Sequence, residues 1–233
     1  MKFRNPFRYL SKFEWILWLA SLGAVSGAFL FGKQFDGLTL AASAVGVTAL
    51  MFVAKGDVFG QGLTVLFSLL YAVISYTFQY YGEMITYLGM TAPIAALSLA
   101  AWIRHPYEKS KAEVKVARLG WQKAIFLLLL TGVVTFAFFF ILAYFHTANL
   151  AVSTVSIATS FMASYLMLYR SPFYAVAYAA NDVVLIILWI LAAMDNSVYL
   201  PMVVCFSVFF VNDLYGFANW RRMHKRQKIR CSD

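Results

Sequence analysis

Long apolar runs, broken by short polar interruptions, occupy most of the chain, and their lengths vary little. Eight can be drawn: Phe13 to Phe31, Leu38 to Ala54, Val58 to Tyr80, Met84 to Ile103, Trp121 to Phe145, Leu150 to Tyr169, Phe173 to Met194 and Val198 to Trp220. A helix needs about 20 predominantly apolar residues to cross a bilayer, where its backbone must satisfy its own hydrogen bonds. The pattern therefore predicts an all-α integral membrane protein with about eight transmembrane helices.

Polar residues inside these runs are the informative positions. The eighth run carries Asn212 and Asp213 near its middle, and an uncompensated Asp there costs about 2.5 to 3.5 kcal/mol, so such groups usually face a bundle interior or a watery path. Asn212, Tyr215 and Asn219 are spaced to share one helix face. That stripe serves either as a binding surface or as hydrogen-bonding glue between helices, and the first reading is the expectation. In the third run Gln61, Ser68, Ser75 and Gln79 form a second inward stripe. Ser153, Ser156, Ser160 and Ser164 make a small-residue stripe in the sixth, the pattern of a close-packing face. Asn181 and Asp182 lie about ten residues beyond Pro172, roughly 15 Å deep at the helical rise and so near the midplane.

The second to fourth runs can be laid over the sixth to eighth. A shift of about 115 residues places Lys55 on Arg170, and a slightly larger one places Trp102 on Trp220. Both triplets begin on the same side of the membrane, the plan of a parallel repeat with its substrate site between the halves. The expected organisation is an N-terminal interfacial segment and extra helix (1–35), a first three-helix repeat (36–104), a basic loop and linker helix (105–147), a second repeat (148–220) and a basic tail (221–233). The loop 104–120 reads as a hinge.

Composition excludes a soluble domain: of 233 residues 62% are hydrophobic and only 12% charged. The net charge of +9 suggests nucleic acid less than orientation. With both termini cytoplasmic, all of the 19 basic residues except Lys33 fall on the cytoplasmic side. Ser26-Gly27-Ala28 resembles a cleavage site, but the first run reads as a retained helix. Cys205 and Cys231 are too far apart on this topology for a disulfide, and no His or Cys cluster implies a metal. Trp15, Trp18, Tyr80, Tyr81, Trp121, Tyr199 and Trp220 read as interface anchors.

The candidate substrate-binding residues are Asn212, Trp189, Asn181, Asp182, Tyr215, Tyr178 and Gln61. Amides, hydroxyls, aromatic faces and an acid suit a neutral or cationic polar molecule with a flat ring. A phosphate wants Arg or Lys, and none lies at the midplane. No catalytic pair, cofactor motif or metal set stands out, so a membrane-embedded enzyme is disfavoured.

YYGEMITYL from Tyr80 to Leu88, with Pro93 and Trp102-Ile-Arg-His, resembles the first-half signature of the PnuC family of nicotinamide riboside transporters. NDLYGFANW from Asn212 to Trp220 resembles its second-half signature. The resemblance implies a SWEET-like 3+1+3 helix plan with the first helix extra, and nicotinamide riboside as substrate. It also implies an inner-membrane location, functional coupling to a cytoplasmic ribosylnicotinamide kinase, and assembly as a homo-oligomer such as a trimer. Through it Asn212 and Trp189 acquire roles in binding. Facilitated diffusion by alternating access is the expected mechanism. Another flat cationic vitamin, thiamine, is the alternative substrate.

Overall fold

A capping box begins the first spanning helix: Ser11 accepts the Glu14 amide while the Glu14 carboxylate takes the Ser11 amide. In the computed structural model, which describes residues 5–31, 36–77, 80–107, 113–147 and 149–230, a helical turn Pro6–Tyr9 precedes this helix. The helices that follow are α1 (Lys12–Leu30), α2 (Gly37–Ala54), α3 (Val58–Thr77), α4 (Tyr81–Thr86), α5 (Ala92–Arg104), α6 (Trp121–Tyr144), α7 (Leu150–Leu168), α8 (Tyr174–Asp195) and α9 (Leu200–Arg230). A π-helical turn, Tyr87–Thr91, joins α4 and α5 into one span. Among the described residues, eight helices are thus long and apolar enough to cross a membrane. Lys33, Gln79 and Cys231, with the basic residues Lys2, Arg4, Lys109 and Lys111, lie outside the described residues.

The π turn has a chemical cause. Pro93 has no N–H for the Gly89 carbonyl, so the α-helical ladder cannot run through this point. Ala92 N–H bonds instead to Tyr87 O, five residues back. α6 supports the bundle from outside, packing on α7 while Leu128, Leu129, Val133, Phe136 and Phe140 stay exposed, as lipid-facing residues would.

The two triplets, α2 to α5 and α7 to α9, are cross-braced by the tryptophans that the repeat comparison aligns. Trp102 Nε1 at the end of α5 donates to Met167 O on α7 at 3.3 Å, and Trp220 Nε1 on α9 donates to Val53 O on α2 at 2.9 Å. Their rings meet at 5.4 Å between centroids. Trp220 is therefore no interface anchor: it is fully buried, because its indole N–H reaches α2 and its ring packs against Trp102 and Tyr174.

The loop 104–120 is no free hinge either. Val114 N donates to Gly56 O in the α2–α3 turn, and Ala117 N donates to Arg170 O in the matching α7–α8 turn. The basic tail continues α9 and closes over this strap, with Gln227 accepting from Val116 N at 2.8 Å and donating to Glu113 Oε1 and Val114 O. Gln227→Ala would strand a buried amide, which costs about 1 to 3 kcal/mol. The expected result is a melting temperature several degrees lower in detergent, and an unchanged melting curve would refute this role for the tail.

Candidate functional site

Between the two triplets lies a cavity enclosing about 620 Å³ of empty space, its mouth included. Each triplet supplies one wall. From the first come Gly46, Ala49, Leu50 and Val53 of α2, Thr64, Phe67 and Ser68 of α3, and Tyr87 and Thr91 of the π turn. From the second come Ser160 and Met167 of α7, Tyr178, Asn181 and Asp182 of α8, and Phe206, Phe209 and Asp213 of α9. Val53 and Met167 are the residues whose carbonyls the two tryptophans hold, so the cross-brace adjoins the cavity directly.

The small residue at position 46 makes room for the aromatic wall. A Cβ there would come within 2.5 Å of Phe209 and 3.0 Å of Phe67, whose rings meet each other at 5.5 Å. Tyr87, also on the lining, packs against Tyr71 at 4.3 Å between centroids. Flat, polarisable faces thus border the space, and they favour a cationic ring by cation–π attraction.

The serine stripe of α7 sets the polar wall. Asn181 Oδ1 accepts from Ser160 at 2.9 Å, Thr159 at 2.8 Å and Ser156 at 3.4 Å. That fixes the amide orientation and leaves its NH₂ side for the cavity. Ser164 holds the Tyr178 hydroxyl at 3.1 Å. A stripe that reads as a packing face is therefore also the support that orients two cavity residues.

Asp182 and Asp213 come from adjacent helices with their carboxyls within hydrogen-bond reach of each other. Both are buried, and Asp182 Oδ2 has no hydrogen-bond donor. Two such carboxyls repel unless a proton or cation lies between them. Among the described residues the cavity lining holds no Arg, Lys or His. The chamber is thus suited to positive rather than negative charge.

Of the sequence-predicted site residues, Tyr178, Asn181 and Asp182 are brought together on this cavity. The others are not among its lining residues. Trp189 is buried against Tyr80 and Tyr199, and its Nε1 lacks a partner of hydrogen-bond geometry, with Tyr71 as its polar neighbour. Gln61 is fully buried on α3 with neither amide atom bonded. Asn212 donates to Ser21 Oγ of α1 at 2.9 Å and to Val208 O, while Oδ1 has no partner. Tyr215 donates to Glu14 of α1 at 2.7 Å, and Asn219 to Ala54 O at 2.8 Å. The α9 stripe thus ties that helix to α1 and α2.

Several cavity residues fall outside the predicted set. Asp213 stands out in the sequence for its cost, but lies off the Asn212–Tyr215 face. Thr64 is one turn before Ser68, and Pro93 marks the break that displays Tyr87 and Thr91. Phe67, Phe206 and Phe209 sit in apolar runs where nothing separates a cavity aromatic from a core one.

A family model described as nicotinamide mononucleotide transporter matches residues 36–222. The chain is 27% identical over 227 residues to the nicotinamide riboside transporter PnuC of Neisseria mucosa, covering 96% of this chain and 86% of that protein. It is 22% identical over 216 residues to the nicotinamide riboside transporter PnuC of Haemophilus influenzae, covering 91% of each. The crystal structure of the vitamin B3 transporter PnuC matches with a TM-score of 0.82 and 26% identity over 94% of both chains.

Proposed function

Because the chain belongs to the nicotinamide mononucleotide transporter family, we propose that it carries nicotinamide riboside across the membrane through the cavity between its two triplets. The observation behind this reading is the lining itself: two buried carboxyls, an oriented amide and aromatic faces, with no basic side chain among the described residues. Nicotinamide riboside is a pyridinium cation with a carboxamide and a ribose. Its ring charge suits Asp182 and Asp213, its carboxamide and hydroxyls suit Asn181 and Tyr178, and its flat face suits Phe67 and Phe209. The mononucleotide adds a phosphate, for which this lining offers no positive partner.

Gln61, Trp189 and Asn212 retain buried polar atoms without partners, and Tyr215 stands one turn from Asn212. In this proposal they meet the substrate when the triplets rock against each other, as alternating access about a fixed site requires. Transport is facilitated diffusion, drawn inward by a cytoplasmic ribosylnicotinamide kinase. In the same proposal both termini face the cytoplasm, an orientation that the distribution of basic residues supports, the membrane is the inner one, and the chain assembles as a homo-oligomer such as a trimer.

Calorimetry on the purified protein tests the substrate. Nicotinamide riboside is expected to give saturable heat, the mononucleotide none, and Asn181→Ala at least a tenfold loss of affinity, since one oriented hydrogen bond to a bound ligand goes with it. Trp189→Ala and Asn212→Ala, run alongside, test the residues outside the lining. A folded protein that binds thiamine and not the riboside would replace the substrate while keeping the cationic site.

A further inference from the structure

A second pocket lies at the opposite end of α9's polar stripe, where the N-terminal segment and the start of α1 meet the last membrane-embedded turn of α9. It encloses about 1100 Å³ of empty space, its open mouth included. Its floor is a saturated acid. Glu14 is buried, and its carboxylate takes Lys55 Nζ at 2.8 Å, the Tyr215 hydroxyl at 2.7 Å and the Ser11 amide at 2.6 Å. Lys55 is thereby neutralised. What remains to face an incoming group is the pair of exposed guanidiniums Arg8 and Arg222, which make no hydrogen bond or ion pair among the described residues.

The rim of this pocket is apolar on the lipid side. Phe13 lines it, meets the Tyr215 ring in a tilted contact at 5.5 Å between centroids and is 59% exposed. Ile16 and Leu19 continue the exposed face along α1. A ligand that fits has an anionic head for two guanidiniums and a hydrocarbon tail for that face. Guanidiniums favour phosphate through paired N–H donors, and basic pockets beside spanning helices bind anionic headgroups.

We propose that this pocket holds the phosphodiester headgroup of an anionic phospholipid, with Arg8 and Arg222 on the phosphate and an acyl chain along Phe13, Ile16 and Leu19. Given the orientation proposed above, the lipid belongs to the cytoplasmic leaflet. It bridges the N-terminal segment to α9, the helix that carries Asp213 into the transport cavity.

Native mass spectrometry with added lipid tests this on the full chain. The wild type is expected to retain one phosphatidylglycerol per chain and no phosphatidylcholine. Arg8→Gln with Arg222→Gln should weaken that association roughly thirty-fold, at about fivefold for each basic residue near the lipid. Arg221→Gln with Lys225→Gln removes the same charge outside the pocket and should leave retention unchanged. Unaltered melting temperatures for both double variants establish that they are folded. The proposal is overturned by equal phosphatidylglycerol retention in the wild type and the pocket variant, or by an equal loss in the control variant. Displacement by glycerol 3-phosphate at the same concentration would also overturn it, since the site would then read a free phosphate. None of these outcomes depends on which vitamin the transport cavity takes.

Discussion

Replacing both cavity carboxyls, Asp182→Asn with Asp213→Asn, is expected to weaken nicotinamide riboside binding about a hundredfold while leaving the uncharged dihydronicotinamide riboside within a fewfold of its wild-type affinity. The two ligands have nearly the same shape and hydrogen-bonding groups and differ in the ring charge. In the wild type the carboxyls stand buried and within reach of each other, so a cation placed near them relieves repulsion as well as gaining attraction. A contact to a charged group inside protein contributes about 1.5 to 3 kcal/mol, and a hundredfold corresponds to about 2.8 kcal/mol. The Asn pair preserves volume and can hydrogen-bond across the same gap, so the fold is expected to tolerate it. Calorimetry with both ligands decides the matter. Equal losses for the two would make the effect one of packing, and an unchanged affinity for the cation would remove the carboxyls from the site.

Gly60→Ala is expected to destabilise the fold strongly, although it adds only one methyl group. A Cβ at this position would fall 2.4 Å from Val53 N and 2.7 Å from Phe52 C. Those are backbone atoms in the last turn of α2, held by the Gly56 N–H on Val53 O and the Asp57 N–H on Phe52 O. No rotamer change relieves the clash, so α2 and α3 must separate. Overpacking a core typically costs 1 to 3 kcal/mol, and with a backbone neighbour the upper end, about 3 kcal/mol, is expected. For a chain of this size that lowers the melting temperature by roughly 10 °C. It also moves Thr64, Phe67 and Ser68, which follow on the same helix and line the cavity. Gly62→Ala is the control, because a Cβ there meets nothing within 4 Å. Thermal melts and size-exclusion profiles that are the same for the two variants would refute the close approach.

How a residue type reads depends on what it meets. Asn181-Asp182 and Asn212-Asp213 are the same dipeptide in two apolar runs. In α8 both residues reach the cavity; in α9 only Asp213 does, while Asn212 turns toward Ser21 of α1. The α9 stripe of Asn212, Tyr215 and Asn219 was legible as a polar face, but helix periodicity carries no information about whether its partner is a ligand or another helix. The serines of α7 illustrate the converse. Small residues let helices approach, and their hydroxyls also orient Asn181 and Tyr178. Trp220 sits at the end of an apolar run, where an anchor and a cross-brace share one sequence signature.

The sequence by itself determined the eight spans, because length and apolarity are local properties that a bilayer reads directly. It determined the kinship of the two triplets, through the spacing of Lys55 with Arg170 and Trp102 with Trp220. It also marked Asp182 and Asp213, acids within apolar runs, by their insertion cost. Only the tertiary structure decided which faces converge: that Phe67, Tyr87 and Phe209 share a wall with Asp182 and Asp213, that Gly46 makes space for that wall, and that the tail clasps the central loop. The reason is that a helix face presents the same side chains whether it meets lipid, a neighbouring helix or empty space, and the choice among these is made by packing between segments far apart in the chain.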